Sequence, residues 1–213
     1  MATVLIIGAS KGIGLATVQG ALKAGHCVRA LARAATAIRL DNPKLEKVNG
    51  DARDQETIEQ ALASVEAVIQ TLGVTPAPSL IISGTQLFSI ATRVLVDAME
   101  NSPVKRLICV TGFGAGDSRG HGGLLYSAAL CLFLGRVYAD KDVQERIIRR
   151  SRLDWTIVRP TILTNGPKTR SYRVLVDPRD STSGFISRAD VADFLVKQID
   201  DTSLLRQTPA LTG

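Results

Sequence analysis

Near the start of the chain, Thr3-Val4-Leu5-Ile6-Ile7 runs into glycines at positions 8, 12 and 14, and a helical pattern begins directly after them. Few arrangements restrict a fold more. A short, apolar, largely β-branched run suits a strand buried on both faces. The glycines have separable tasks: a sharp turn out of the strand, close approach of backbone N–H groups to a ligand, and tight packing of helix on strand. The following helix directs its positive dipole end and unpaired N–H groups at the turn, which favours a phosphate. Gly8, Ser10, Lys11, Gly12, Ile13 and Gly14 therefore read as a cradle for the pyrophosphate of a dinucleotide. The spacing is G-x-x-x-G-x-G, and the strand before and helix after supply the context such a motif requires.

The rest of the chain alternates in the same way. Leu15 to Ala24 reads as a helix ended by a left-handed Gly25, and His26 to Ala32 as a strand with Arg33 at its end. Glu46 to Val48 is a short strand leading to Asn49-Gly50-Asp51, and Asp54 N-caps a helix reaching Ser64. Val65 to Leu72 closes a strand on Gly73, and the Pro-containing Thr75 to Ser79 is a loop. Ser83-x-x-Gln86 has the form of a capping box opening a helix whose apolar face is Leu87, Ile90, Ala91, Val94, Leu95 and Ala98. Val104 to Val110 is a strand running into a glycine-rich segment that extends to Gly123, loose enough to act as a lid. Leu124 to Ser151 is helical with a break near Gly135, Trp155 to Val158 is a strand, and Tyr172 to Val176 another. Phe185-Ile186 precedes a capping pair, Ser187-x-x-Asp190, and a last helix to Ile199. This order predicts an α/β fold, a Rossmann-type doubly wound parallel sheet in one domain over residues 1–213.

Composition narrows the functional classes. The net charge of +6 comes from scattered cations with one cluster, Arg146, Arg149, Arg150 and Arg152, which reads as a solvated helix face. Aromatic residues make up 4% of the chain, too few to give stacking platforms for bases, so we expect no nucleic-acid partner. We expect no signal peptide and no membrane partner, since the longest apolar candidate, Leu124 to Leu134, is interrupted by Tyr126 and Ser127 and too short to span. Cys27, Cys109 and Cys131 lack metal-type spacing and read as thiols in a reducing cytoplasm. With His26 and His121 the only imidazoles, neither a metal site nor a Ser-His-Asp triad is expected.

In a sheet of this kind ligands lie beyond the carboxyl ends of the strands. Those ends supply the cradle, Arg33, Asp51 with Ala52, Leu72-Gly73, Thr111-Gly112 and Pro160-Thr161-Ile162. Arg33 stands where a carboxylate would bind a ribose 2′-hydroxyl, and an arginine there suits a 2′-phosphate. Lys11 adds a second positive charge, so the cofactor expected is NADP(H). Asp51 is placed to accept from the adenine amine or to cap the helix after it.

The pattern from Gly8 to Gly14 resembles that of the short-chain dehydrogenase/reductase superfamily. Val110-Thr111-Gly112-x-Gly114-Ala115-Gly116-Asp117-Ser118, Leu153 to Pro160 and Ile186-Ser187-Arg188-Ala189-Asp190-Val191-Ala192 are similar to its atypical NAD(P)H-binding branch, which includes flavin/biliverdin-IXβ reductase-like proteins and nitrogen-metabolite-repressor-like redox sensors. Complete members use a Ser and a Tyr-x-x-x-Lys pair. Here Thr111 stands at the serine place, Tyr138 is three residues before Lys141, and Tyr126 has Leu130 four positions on. Thr111, Tyr138 and Lys141 are the candidate catalytic groups, with Lys141 also near the cofactor. The resemblance implies hydride transfer to a small conjugated acceptor such as a flavin, quinone or tetrapyrrole. Thr111 would then hydrogen-bond nicotinamide or acceptor, and Leu124, Leu125, Tyr126 and Phe133 would form either an apolar wall or a core-packed helix. The rival is a redox sensor or assembly protein that binds NAD(P) and catalyses nothing. A sugar-nucleotide epimerase fits less well, because few residues follow Pro160. The partner expected is a small molecule, on a monomer or homodimer.

Overall fold

The run Thr3–Ile7 forms β1, and its alternation serves two cores at once. Val4 and Ile6 enter one hydrophobic cluster and Leu5 and Ile7 the other, none more than 1% exposed. Only a strand covered on both faces demands apolar residues at every position. The computed structural model describes residues 1–75, 80, 83–115, 124–177 and 184–213, and for 124–134 the backbone alone.

Parallel partners flank β1: β2 (Cys27–Ala32) on one side and β4 (Ala67–Gln70) on the other. Outside them lie β3 (Leu45–Asn49), β5 (Arg106–Val110) and β6 (Asp154–Pro160), followed by β10 (Ala210–Thr212) and an antiparallel edge strand, β8 (Arg173–Leu175). The order is β3-β2-β1-β4-β5-β6-β10-β8, so the chain winds outward from β1 in one direction and then in the other. The carboxyl ends of β1 and β4 thus bound the crevice where strand order reverses. A separate parallel pair joins β7 (Ile162–Thr164) to β9 (Phe185–Ser187).

One face of the sheet is covered by α1 (Gly12–Lys23) and α5 (Arg188–Lys197), through Val18, Ala21, Val191, Phe194 and Leu195. The other carries α2 (Gln55–Ala61), α3 (Leu87–Glu100) and α4 (Leu124–Arg150), through Ile58, Ala91, Leu95 and Ile148. Among the described residues no helix is long and apolar enough to cross a membrane.

The doubly wound sheet agrees with the reading of the sequence, and the departures have local causes. Helix α1 begins at Gly12 and not at Leu15, so the last two glycines of the turn are themselves helical. Helix α4 runs unbroken through Gly135. Strands β7 and β10 were not expected: each is three residues long and is stabilised by its neighbours rather than by its own pattern.

The expected Ser83–Gln86 capping box does not close α3. Gln86 occupies the N-cap position without a side-chain bond. A carboxylate from a distant helix does the work: Asp140 accepts from Phe88 N–H at 2.9 Å and from Ser89 N–H at 3.3 Å. Asp140 is 6% exposed, so its charge is balanced by the dipole of α3 and by those two donors. Asp140→Ala should therefore lower stability by about 1–2 kcal/mol, read as a lower urea midpoint with an unchanged slope. An unaltered midpoint would show that α3 needs no such cap.

Candidate active site

Across one edge of the sheet, from β3 to β6, the strand ends present Asp51-Ala52, Arg33, Gly8, Leu72-Gly73, Thr111-Gly112 and Thr161-Ile162. The residues expected at the site are thus brought to one edge, and the sheet alone does this.

At the centre the turn is built on close approach. Gly8 has φ +84°, a conformation that favours glycine, and a Cβ there would stand 2.8 Å from the Thr71 carbonyl oxygen. The N–H groups of Gly8 and Ala9 both donate to Leu31 O, at 2.9 and 3.3 Å, which ties the turn to the end of β2. A Cβ on Gly14 would collide with the Gly8 carbonyl and lie 2.7 Å from Thr71 Oγ1. Thr71 is itself fixed, donating to Ile7 O at 2.8 Å from both its N–H and its hydroxyl. The start of α1 therefore sits directly against the ends of β1 and β4. Lys11, at its N-cap, makes no side-chain cap, and the first turn holds no acidic residue. A helix end without its own anion, over backbone that excludes Cβ atoms, fits a dinucleotide pyrophosphate. Lys11 Nζ reaches across to Thr75 Oγ1 at 3.0 Å, over the segment that follows Leu72-Gly73. A Cβ on Gly73 would meet nothing within 4 Å among the described residues.

On the β2–β3 side, Arg33 is exposed. Asp51 is held by Arg53, with Nη2 to Oδ2 at 2.6 Å and Nε to Oδ1 at 3.1 Å. These bonds, with a smaller attraction from Arg33, keep its carboxyl down at about 2. The cap of α2 is Asp54, which accepts from Thr57 N–H at 2.9 Å, so the capping role once open to Asp51 belongs to Asp54. Ala52 is buried behind it.

On the β5–β6 side, the unusual tyrosine–lysine spacing converges. Residues three apart share a helix face, and a Cβ on Gly112 would stand 3.0 Å from Tyr138 Oη and 3.5 Å from Lys141 Nζ. Lys141 Nζ donates to Thr111 O and lies 5.0 Å from the Phe88 ring centroid. Burial pulls its pKa down to about 8, against the opposing pull of Cys109 and Glu145. Thr111 is 3% exposed, and its hydroxyl donates to Glu145 Oε1 at 2.8 Å. A hydroxyl so committed anchors the strand end, and toward a nicotinamide or acceptor it can only accept a hydrogen bond. Pro160 and Thr161 are likewise buried, with Thr161 Oγ1 donating to Leu211 O at 3.1 Å, while Ile162 is 39% exposed. Of the lid expected from Gly112 to Gly123, residues 116–123 lie outside the described residues, as do the side chains of Leu124, Leu125, Tyr126, Cys131 and Phe133.

What sequence reasoning missed is the floor beneath this group. Arg159 and Glu145 form a two-pronged ion pair, Nε to Oε1 at 3.0 Å and Nη2 to Oε2 at 2.5 Å, with side chains 1% and 2% exposed. The available signal was an arginine ending an otherwise apolar strand, Trp155-Thr156-Ile157-Val158-Arg159. Beside it, burial pushes the Cys109 thiol up, so it stays protonated and donates to Gln70 Oε1 at 3.2 Å. Removing the carboxylate takes the opposite charge away from a buried guanidinium: Glu145→Ala should cost about 3–5 kcal/mol of stability. In chemical denaturation, Glu145→Leu with Arg159→Met should recover most of that loss; equal instability of the double variant would refute pairing as the cause.

The chain is similar to known proteins. A family model for NAD(P)H-binding proteins matches residues 8–202. The uncharacterized chloroplastic protein At2g34460 of Arabidopsis thaliana is 29% identical over 204 residues, 92% of this chain and 71% of that protein. Protein TIC 62, chloroplastic, of the same plant is 30% identical over 176 residues, 74% of this chain but only 26% of that protein. ChuY, an anaerobillin reductase from Escherichia coli O157:H7, has the same fold with a TM-score of 0.80 at 28% identity, covering 99% of this chain and 96% of its own. Matched from the cradle glycine to residue 202, the chain belongs to the NAD(P)H-binding family.

Proposed function

We propose that this protein is an NADPH-dependent reductase acting in the cytoplasm on a small, planar, conjugated acceptor such as a flavin, quinone or tetrapyrrole. The observation that carries the reading is the convergence of Tyr138 and Lys141 on Gly112, at the strand edge that also presents the cradle. The similarity to ChuY, an anaerobillin reductase, supports the acceptor class. When bound, the dinucleotide supplies a hydride. Gly8 to Gly14 hold its pyrophosphate and Arg33 its 2′-phosphate. Asp51 accepts from the adenine amine, and Leu72-Gly73 with Pro160-Thr161-Ile162 flank the nicotinamide. Tyr138 would deliver a proton to the reduced acceptor, Lys141 would favour that proton's departure through its charge, and solvent would return a proton to the tyrosine. Thr111 contributes its carbonyl, which orients Lys141, and its hydroxyl, which locks the strand end to Glu145.

The competing reading is a non-catalytic NAD(P)-binding sensor or assembly protein, and the internal bond of the Thr111 hydroxyl favours it. NADPH consumption with a panel of flavins, quinones and tetrapyrroles decides between them. Turnover of any class supports the reductase, and tight cofactor binding without turnover supports the sensor.

Two outcomes test the assignments. Arg33→Ala should weaken NADPH about tenfold to a hundredfold, the worth of hydrogen bonds to a charged phosphate, while leaving NADH nearly unchanged. Equal losses in calorimetry would place the 2′-phosphate elsewhere. Lys141 is charged below about pH 8 and neutral above it. Therefore kcat/KM should fall as pH rises through about 8, and Lys141→Met should flatten that limb; a limb that survives the substitution removes Lys141 from catalysis.

A further inference from the structure

The stretch Ile186–Ala192 contains a cation that the proposed function leaves unused. Ser187 caps α5, its Oγ accepting Asp190 N–H at 2.9 Å and donating to Asp190 Oδ2 at 2.8 Å. Asp190 also accepts from Thr169 N–H at 2.8 Å, Thr169 Oγ1 at 2.9 Å and Arg170 N–H at 2.8 Å. These bonds tie the segment after β7 to the start of α5, and so fix the surroundings of Arg188, its first residue.

Arg188 faces the cradle. A Cβ placed on Gly12, the first residue of α1, would lie 3.9 Å from Arg188 Nε and 4.0 Å from its Cδ. Its Nη1 donates to Asn165 Oδ1 at 2.8 Å, and among the described residues this uncharged amide is its polar partner. The amide orients the guanidinium without neutralising it. Electrostatically the arrangement is unfavourable as it stands. The cation stands beside the first residue of α1, a positive helix end whose first turn holds no acidic residue, while the Asp190 carboxylate offsets the end of its own helix. An anion between Arg188 and the start of α1 is attracted by both and offsets their mutual repulsion.

We propose that Arg188 is a direct ligand of the dinucleotide pyrophosphate, closing the cradle from the α5 side opposite the backbone N–H groups of α1. The inference rests on the reading that the cradle holds NAD(P). An arginine suits the task because its planar fork binds two phosphate oxygens while a third N–H stays on Asn165. The pyrophosphate is common to NADPH and NADH, so Arg188 contributes affinity without selecting between them, which is the role of Arg33.

The test is calorimetric titration of the full-length protein with NADPH, NADH and ADP-ribose, comparing the parent with Arg188→Gln, Arg188→Lys and Asn165→Ala. Arg188→Gln should weaken all three ligands about tenfold or more, because each carries the pyrophosphate. Arg188→Lys should recover only part of that loss, since an ammonium is a point charge. The unfolding temperature without ligand should stay near that of the parent. If Arg188→Gln fails to fold, Asn165→Ala decides, with a smaller loss expected across the same three ligands. Affinities within about twofold of the parent, a loss confined to NADPH, or a loss that spares ADP-ribose would each overturn the proposal. Failure of the parent to bind any of the three would instead overturn the reading of the cradle.

Discussion

The contact between Gly14 and the Gly8 carbonyl sets the geometry of everything around it. With no room for a Cβ, the first turn of α1 presses against the ends of β1 and β4, and Thr71 is trapped in the same contact. Because β1 is the central strand of the crevice, this places a positive helix end where strand order reverses. A larger side chain there would move the helix off the sheet and carry its first-turn N–H groups with it.

A second layer of rigidity lies under the β5–β6 edge. The Glu145–Arg159 pair is buried, and the carboxylate also accepts from the Thr111 hydroxyl and lies 3.8 Å from the Arg149 guanidinium. Buried ion pairs often add little stability over apolar packing of equal volume. What this one adds is position: it joins α4 to β6 and to the end of β5, and so holds Tyr138 and Lys141 over Gly112. Cys109, whose thiol burial pushes up, belongs to the same buried polar group through its bond to Gln70.

Much of this was legible in residue order. The strand–glycine–helix opening, the alternation of elements and the Ser187–Asp190 cap all act over a few neighbouring residues, so local pattern reveals them. Contacts between distant segments were not legible. Asp140 caps a helix more than fifty residues before it, in place of the local Ser83–Gln86 box. Arg159 meets Glu145 across the helix–sheet interface, and Arg188 meets Gly12 across the α1–α5 packing. No periodicity in the sequence encodes such pairings, because each depends on how two packed elements are rotated about one another.

The amino-acid order alone determined the doubly wound sheet, the glycine turn at the head of α1 and the row of residues at the strand ends, because hydrophobic period and glycine placement act locally and topology follows from them. Tertiary structure alone decided which of those side chains face open space and which are consumed internally. It turned the Thr111 hydroxyl to a buried carboxylate, brought Tyr138 and Lys141 to one point despite their spacing, and set Arg188 at the mouth of the cradle. The reason is physical: a buried polar group must find a partner wherever packing supplies one, and packing is a property of the whole fold.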